Sequence, residues 1–314
     1  MNIRGRRCFV WMMLLSLLVG ALGACAPAST PAPVVVEDDG PLTVMVSIVP
    51  QKYFVERIGG ERVAVMVMVE PGNSPATYEP KPEQLQALNR AAAYFSIGVP
   101  FENAWLDKIA EANEDMLMVD TIAEVERRPM DVPHTHDDDD HDDDHDDDHH
   151  EGAPDPHVWV SPALVKVQSQ AIYAALVQLD PAHAAEYQAN LNAFIADINA
   201  LEADIQQTLA GLESRKFMVF HPAWGYFARD FGLTQIPVEV GGQEPSAQEL
   251  AHLIEEAQEE DIQVVFAQPE FSTQAAETIA SEIGGEVLLI SPLAPDWLAN
   301  MRRVAQTFAE VLGQ

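Results

Sequence analysis

Residues 181–212 read PAHAAEYQANLNAFIADINALEADIQQTLAGL. After Pro181 no proline or glycine interrupts the run until Gly211, and Tyr187, Leu191, Phe194, Ile198, Leu201, Ile205 and Leu209 recur at steps of three or four. That spacing predicts one long amphipathic helix, roughly 45 Å at about 1.5 Å per residue. A coiled-coil partner is one reading of such a stripe. The run is short for that and stands between two globular halves, so a rigid strut joining two lobes is the better reading, and it would limit hinge closure.

On the N-terminal side, Leu42–Val49 and Val63–Val69 are nearly continuous apolar runs, the pattern of strands buried on both faces. Residues 92–97 and 116–119 read as two further strands, and Lys81–Arg90 as a helix with Leu85 and Leu88 on one face. On the C-terminal side the strand candidates are Lys216–Phe220, Ile236–Val240, Ile262–Ala267 and Glu286–Ile290. Ser246 and Glu249 have the spacing of a capping box ahead of an apolar-periodic segment. Strand and helix in alternation predict an α/β fold: two lobes, each a mostly parallel sheet flanked by helices, joined by the long helix. No clear sequence repeat relates the halves.

The chain has 314 residues, 47% of them hydrophobic, so a sizeable core can be buried. Its formal charge is −33, and an acidic surface repels phosphate backbones, which makes nucleic acid an unfavourable partner. Arg4, Arg6 and Arg7 precede an apolar run from Phe9 to Val19, followed by Leu22-Gly23-Ala24-Cys25. A basic start, a short apolar run and small residues before a cut point describe an export signal. The run is too short for a comfortable span, which needs roughly 20 residues. Leu-Gly-Ala-Cys resembles a bacterial lipobox, in which Cys25 is lipidated and anchors the mature chain to the cell membrane from outside the cytoplasm. Cys8 leaves with the signal, so no internal disulfide is expected. The expected divisions are a signal peptide over 1–24, a flexible tether over 25–40, a first lobe over 41–180 with an Asp/His-rich loop at 131–153, the helix over 181–212 and a second lobe over 213–314.

Four segments carry the candidate chemistry: Pro71–Pro80, Asp155–Pro162, Phe220–Gly225, and Gln268–Phe271 together with Ser291-Pro292-Leu293. Each follows a strand or opens a helix, where open α/β sheets place their ligands. His157 and His221 sit between proline and apolar neighbours at matching positions in the two halves. Either alone reads as a structural histidine; together they read as candidate ligands for zinc, or less selectively for manganese, iron or copper. His183 and His252 read as surface residues, and Trp105, Trp159, Trp224 and Trp297 as core or cleft walls.

Residues 134–150, HTHDDDDHDDDHDDDHH, hold ten aspartates and six histidines in seventeen positions. A block of like charges with nothing apolar to bury specifies no fixed geometry. His134, His136, His141, His145, His149 and His150 therefore read as an accessory, low-specificity collector of divalent cations. A merely solubilising acidic loop is the plainer alternative.

VEPGNSPATYEP, DPHVWVSP, the long helix, VFHPAWGYFARDFGL and FAQPEFSTQAAETIA together resemble the zinc/manganese solute-binding proteins of bacterial ABC transporters, over about residues 42–310. The resemblance implies one metal in the cleft between two lobes, delivered to a permease and its ATPase without catalysis by a protein expected to be monomeric. It maps two ligands onto His157 and His221. The family's first histidine falls on Ala76, however, and its terminal aspartate on Ser291, so two of four donors are missing. Glu79, Glu239 or Glu270 are candidates to replace them, Glu270 first. Histidines of the 134–150 tract are another source, and loss of metal from the cleft a third outcome. A surface metal buffer or adhesion lipoprotein, binding mainly through the tract, is the competing function. A metallohydrolase has little support, since no general base is legible.

Overall fold

The computed structural model describes residues 40–132, 153–239 and 242–313. The export signal, Cys25 and the 134–150 tract lie outside them. Two four-stranded sheets carry the architecture. The first is built from β1 (Leu42–Val46), β2 (Val63–Val67), β3 (Ala93–Ser96) and β4 (Leu117–Asp120) in the order β2-β1-β3-β4. The second is built from β5 (Lys216–Val219), β6 (Thr234–Pro237), β7 (Val264–Ala267) and β8 (Glu286–Leu289) in the order β6-β5-β7-β8. Every pairing in both sheets is parallel, so the halves share one topology although their sequences show no repeat. Among the described residues no helix is long and apolar enough to cross a membrane.

Helices α1 (Val49–Gly59), α2 (Pro82–Leu88) and α3 (Glu102–Ala112) belong to the first half. α4 (Pro162–Leu179) and α5 (Ala184–Thr208) lead across to the second half, which holds α6 (Gly225–Phe231), α7 (Ala247–Glu259), α8 (Gln274–Ile283) and α9 (Trp297–Leu312). Two helix starts are fixed by caps, the second of them the predicted capping box. Ser161 accepts from Leu164 N at 3.2 Å with Pro162 in the first turn of α4. Ser246 and Glu249 exchange reciprocal hydrogen bonds of 3.3 and 2.7 Å at the start of α7.

The predicted strut is α5. All seven periodic residues, Tyr187 through Leu209, are buried. The helix is 25 residues long, about 38 Å rather than 45 Å, because Pro181–His183 form a separate 3-10 turn and Leu209 already leaves helical geometry. Its apolar face is shared. Phe194 packs on Phe54 of α1 at 6.0 Å, with the Arg57 guanidinium 4.9 Å from its ring centre. Trp297 of α9 meets the same Phe54 edge-on at 5.3 Å. Strand alternation does the rest. In β5, Phe217 and Val219 face the core that runs through α5 and α9, while Met218 joins a second core under α7 and α8. The first core runs without a break from β1 and β3 to β5 and β7, so one packed body underlies both sheets.

One strand is displaced from its expected position: β6 is Thr234–Pro237, not 236–240. Gly232, in the left-handed region at φ +69°, closes α6, and the chain turns into the edge strand at once. Pro237 ends the named strand at the edge of the sheet, where a missing donor costs least. Beyond it Val238 N still bonds Val219 O at 2.8 Å and Glu239 N bonds Phe220 O at 3.0 Å. This continuation places Glu239 beside the segment after β5.

Phe194→Ala would remove the aromatic keystone between α1 and α5. Denaturant unfolding of the metal-free protein should show a loss of about 3–5 kcal/mol.

Candidate metal-binding site

In each sheet the chain leaves the first strand to one side and enters the third on the other, opening a crevice at their C-terminal ends. The first sheet fills its crevice with its own side chains. Glu102 accepts from Ile97 N at 3.1 Å and Gly98 N at 2.7 Å, and its Oε1 also takes the Ser47 hydroxyl, whose oxygen lies 2.7 Å from the Tyr94 hydroxyl. Burial pushes the Glu102 carboxyl upward, and these hydrogen bonds hold it back. The second sheet keeps its crevice for His221, which follows β5 and whose carbonyl accepts from Gln268 Nε2 at 3.3 Å.

His157 arrives from the other side, on the turn that precedes α4. Trp159 holds that turn in place: its indole N–H donates to Pro292 O at 2.8 Å, and its carbonyl accepts from the Trp297 indole at 2.7 Å. The loop after β8 and the start of α9 therefore fix the His157 segment against the second half. The two imidazoles meet with ring centres 5.0 Å apart and Nε2 atoms 3.2 Å apart.

Both rings are anchored from behind. Asp155 Oδ1 lies 2.8 Å from His157 Nδ1 and also accepts the His157 amide at 3.0 Å. Glu239 Oε2 lies 2.6 Å from His221 Nδ1. A carboxylate only accepts, so each Nδ1 carries the proton and each Nε2 is left with its lone pair. This is the arrangement in which carboxylates orient metal-ligating histidines. Asp155 is fully buried, with Arg128 Nη1 3.6 Å from its Oδ2. Arg128 reaches it because residue 225 is glycine: a Cβ there would stand 1.6 Å from the same Nη1.

Two lone pairs facing each other at 3.2 Å repel unless a proton or a cation stands between them. Two nitrogens bound to one tetrahedral zinc at about 2.0–2.1 Å lie about 3.3 Å apart, so the pair is spaced for such an ion. Desolvation by burial pushes His157 below the ordinary histidine range, against the raising effect of Asp155, which favours the neutral, ligating form.

Glu270 lines the same small cavity, of about 50 Å³, as His157 and His221. Its Oε1 accepts the Ser291 hydroxyl at 3.0 Å, and its Oε2 is buried without a hydrogen-bond partner. An orphaned carboxylate oxygen is costly and suits a cation. Among the described residues no three His, Cys, Asp or Glu side chains converge as a finished ligand set, so Glu270 stands at the cavity without closing on the histidine pair. Ser291 serves Glu270. Ala76 lines the cavity and offers no donor, and Glu79 is exposed. Glu239 sits behind His221, on the side away from Nε2. His183 bonds Asp180 at 2.6 Å, and His252 is exposed on α7 beside Glu255. His134, His136, His141, His145, His149, His150 and Cys25 lie outside the described residues. The roles of Asp155 and Glu239 as anchors are not read from the sequence. The available signal was the pairing of β5 with β6, which carries a carboxylate past Pro237 to the histidine two residues beyond β5.

Because the folded pKa of His157 is lowered, the unfolded chain takes up the proton first as pH falls. The metal-free protein should be fully stabilised above the ordinary histidine value of about 6.5 and lose stability below it. Thermal unfolding between pH 8 and 5.5 checks this, and His157→Gln should flatten the profile.

Residues 44–311 match the family model for zinc-uptake complex component A, periplasmic. The high-affinity zinc uptake system protein ZnuA of Bacillus subtilis (strain 168) is 29% identical over 274 residues, which is 87% of this chain and 84% of that protein. The crystal structure of a zinc-bound ZnuA deletion mutant is 45% identical with a TM-score of 0.79, covering 87% of this chain and 99% of that one. The laminin-binding protein Lmb of Streptococcus agalactiae, described as an adhesin with metal-transporting activity, shares the fold at a TM-score of 0.74 but only 22% identity. Its likeness speaks for the fold alone. The chain belongs to the zinc-uptake complex component A family, the zinc-binding periplasmic solute-binding proteins of ABC transporters.

Proposed function

We propose that this chain captures one divalent cation between His157 and His221, with Glu270 as the third donor, and hands it to the permease of an ABC transporter. The observation that carries the reading is the pair of Nε2 atoms 3.2 Å apart, each with its Nδ1 proton already committed to a buried carboxylate. Two imidazoles and one carboxylate in a confined cavity suit zinc better than manganese, which prefers six oxygens. Zinc is the first cargo and manganese the second. No observation favours the adhesion alternative.

The rest of the assignment extends this reading. Cys25 would carry the lipid that holds the mature chain at the outer side of the cell membrane as a monomer, with residues 25–40 as tether. Lobes over 41–180 and 213–314 would flank the cleft, with 181–212 between them. The histidines of residues 134–150 would gather cations near the cleft without forming the site. Because one core runs beneath both sheets, loading and release would depend on loops at the cleft rather than on wide lobe closure.

Calorimetric zinc titration of the His157→Ala/His221→Ala double variant should lose the tight one-to-one site. Full affinity in that variant would place the site elsewhere. Glu239→Gln keeps His221 but weakens its anchor, and zinc affinity should fall by about 10–100-fold with the fold unchanged.

A further inference from the structure

Between β7 and α8 the chain makes one tight turn, Gln268-Pro269-Glu270-Phe271, closed by Phe271 N donating to Gln268 O at 3.2 Å. Pro269 takes its second position, where the fixed φ of proline suits a turn. The two ends of this turn grip one residue. Gln268 Nε2 donates to the His221 carbonyl at 3.3 Å, and the Phe271 ring lies over the His221 imidazole with centres 4.8 Å apart and planes 30° apart. Phe271 is itself seated on the second core, 6.4 Å from the ring of Phe220, and it lines the cavity together with both histidines.

The two imidazoles are not held alike. One oxygen of Asp155 accepts both the ring N–H and the amide of His157, which ties that side chain to its own main chain. Glu239 holds His221 at Nδ1. A hydrogen bond at one corner of a ring fixes that atom but leaves the plane free to tilt, and the tilt carries Nε2 with it. A metal site tolerates errors of only about 0.5 Å and 10–20° in the placing of its donors. An aromatic face packed close on the imidazole removes this freedom, and offset packing of two rings is itself favourable.

We propose that Phe271 is a positioning residue for the metal site. Its face sets the plane of His221 and so favours an ion that takes its donors tetrahedrally, as zinc does, over one that asks for a square-planar or tetragonal set, as nickel(II) does. This role rests on the site proposed above, because it presupposes His221 as a ligand. Phe271 has no donor atom and acts through His221 alone. Without its ring His221 turns freely, the lone pair no longer stands ready for zinc, and an ion of the other geometry can recruit it.

Phe271→Leu keeps apolar bulk and removes the face, while Phe271→Tyr keeps the face. Calorimetric titrations with zinc and with nickel(II) should show zinc affinity at least about tenfold lower in Phe271→Leu, nickel affinity changed far less, and both restored in Phe271→Tyr. The ratio of the two affinities is the decisive readout, since a general loosening of the fold weakens both ions alike. The ratio should fall again when Phe271→Leu is added to Glu270→Ala, which separates the effect from the neighbouring carboxylate. Proton NMR of the unmodified metal-free protein needs no variant and should find the His221 ring protons shifted upfield by the Phe271 face. An unchanged ratio, a Phe271→Tyr protein that behaves as Phe271→Leu does, an effect confined to chains that retain Glu270, or unshielded His221 protons would overturn the role. Failure of the site itself reads differently: zinc then binds the His157→Ala/His221→Ala protein as tightly as the parent.

Discussion

His157 donates its Nδ1–H to Asp155 at 2.8 Å and His221 donates its own to Glu239 at 2.6 Å. These bonds, made on the far side of each ring, set what the near side can do. They select the tautomer, aim both lone pairs at one point and hold them against their mutual repulsion. A histidine pair without such anchors could turn a ring or shift a proton and form an ordinary hydrogen bond. Here that escape costs a buried carboxylate one of its hydrogen bonds. The cleft is therefore strained towards a cation before any cation arrives.

The anchors depend in turn on parts of the molecule that look unrelated to binding. Asp155 is held where it is by an Arg128 side chain that passes over Gly225, and Arg128 also clasps Asp131 and leaves its main-chain N–H to the Tyr226 hydroxyl at 3.1 Å. The bridge between Pro129 and Pro154, with Met130 N on Ala153 O at 3.0 Å, pairs the two stems of the 133–152 segment beside this clasp. Glu239 depends on the edge-strand ladder that outlasts Pro237. Trp159 and Trp297, linked through the Trp159 carbonyl, tie the His157 turn to α9, and α9 to the core around α5. The rigidity of the strut thus reaches the metal-facing atoms through a short chain of packed and hydrogen-bonded groups.

Most of the fold was legible because burial writes itself into short apolar runs and into the seven stripe positions of residues 187–209. Edges were less legible. Pro237 and the tight Gly232 turn moved β6 by two residues, since a proline at a sheet edge and one inside a coil look alike in sequence. At the site, His157 and His221 stood out by their proline neighbours and their places, one just before a helix and the other just after a strand. Their anchors did not. Asp155 is a single acid two residues upstream, and Glu239 lies 18 residues away, brought near only by parallel pairing. Glu270 was legible as a candidate, but its partnership with Ser291 was hidden: the serine that seemed to be a lost ligand is the hydrogen-bond donor that positions a carboxylate.

The two sheets have one topology and opposite fates, and chemistry rather than fold decides between them. In the first crevice Ser47, Tyr94 and Glu102 satisfy one another, with the backbone of Ile97 and Gly98 completing the set. Nothing is left over to bind a ligand, and Glu102 spends its charge on capping the turn into α3. In the second crevice the equivalent place holds an imidazole whose outward nitrogen has no protein partner except another imidazole like itself. A crevice closes when its polar groups can satisfy one another and stays open when they cannot. The same rule explains Glu270, whose Oε1 is satisfied by Ser291 while Oε2 is not. Buried side-chain atoms without a partner also occur at Asp155, Gln168 and Trp224, but Glu270 Oε2 shares its cavity with His157 and His221, and a divalent ion is the simplest object that satisfies these three side chains at once.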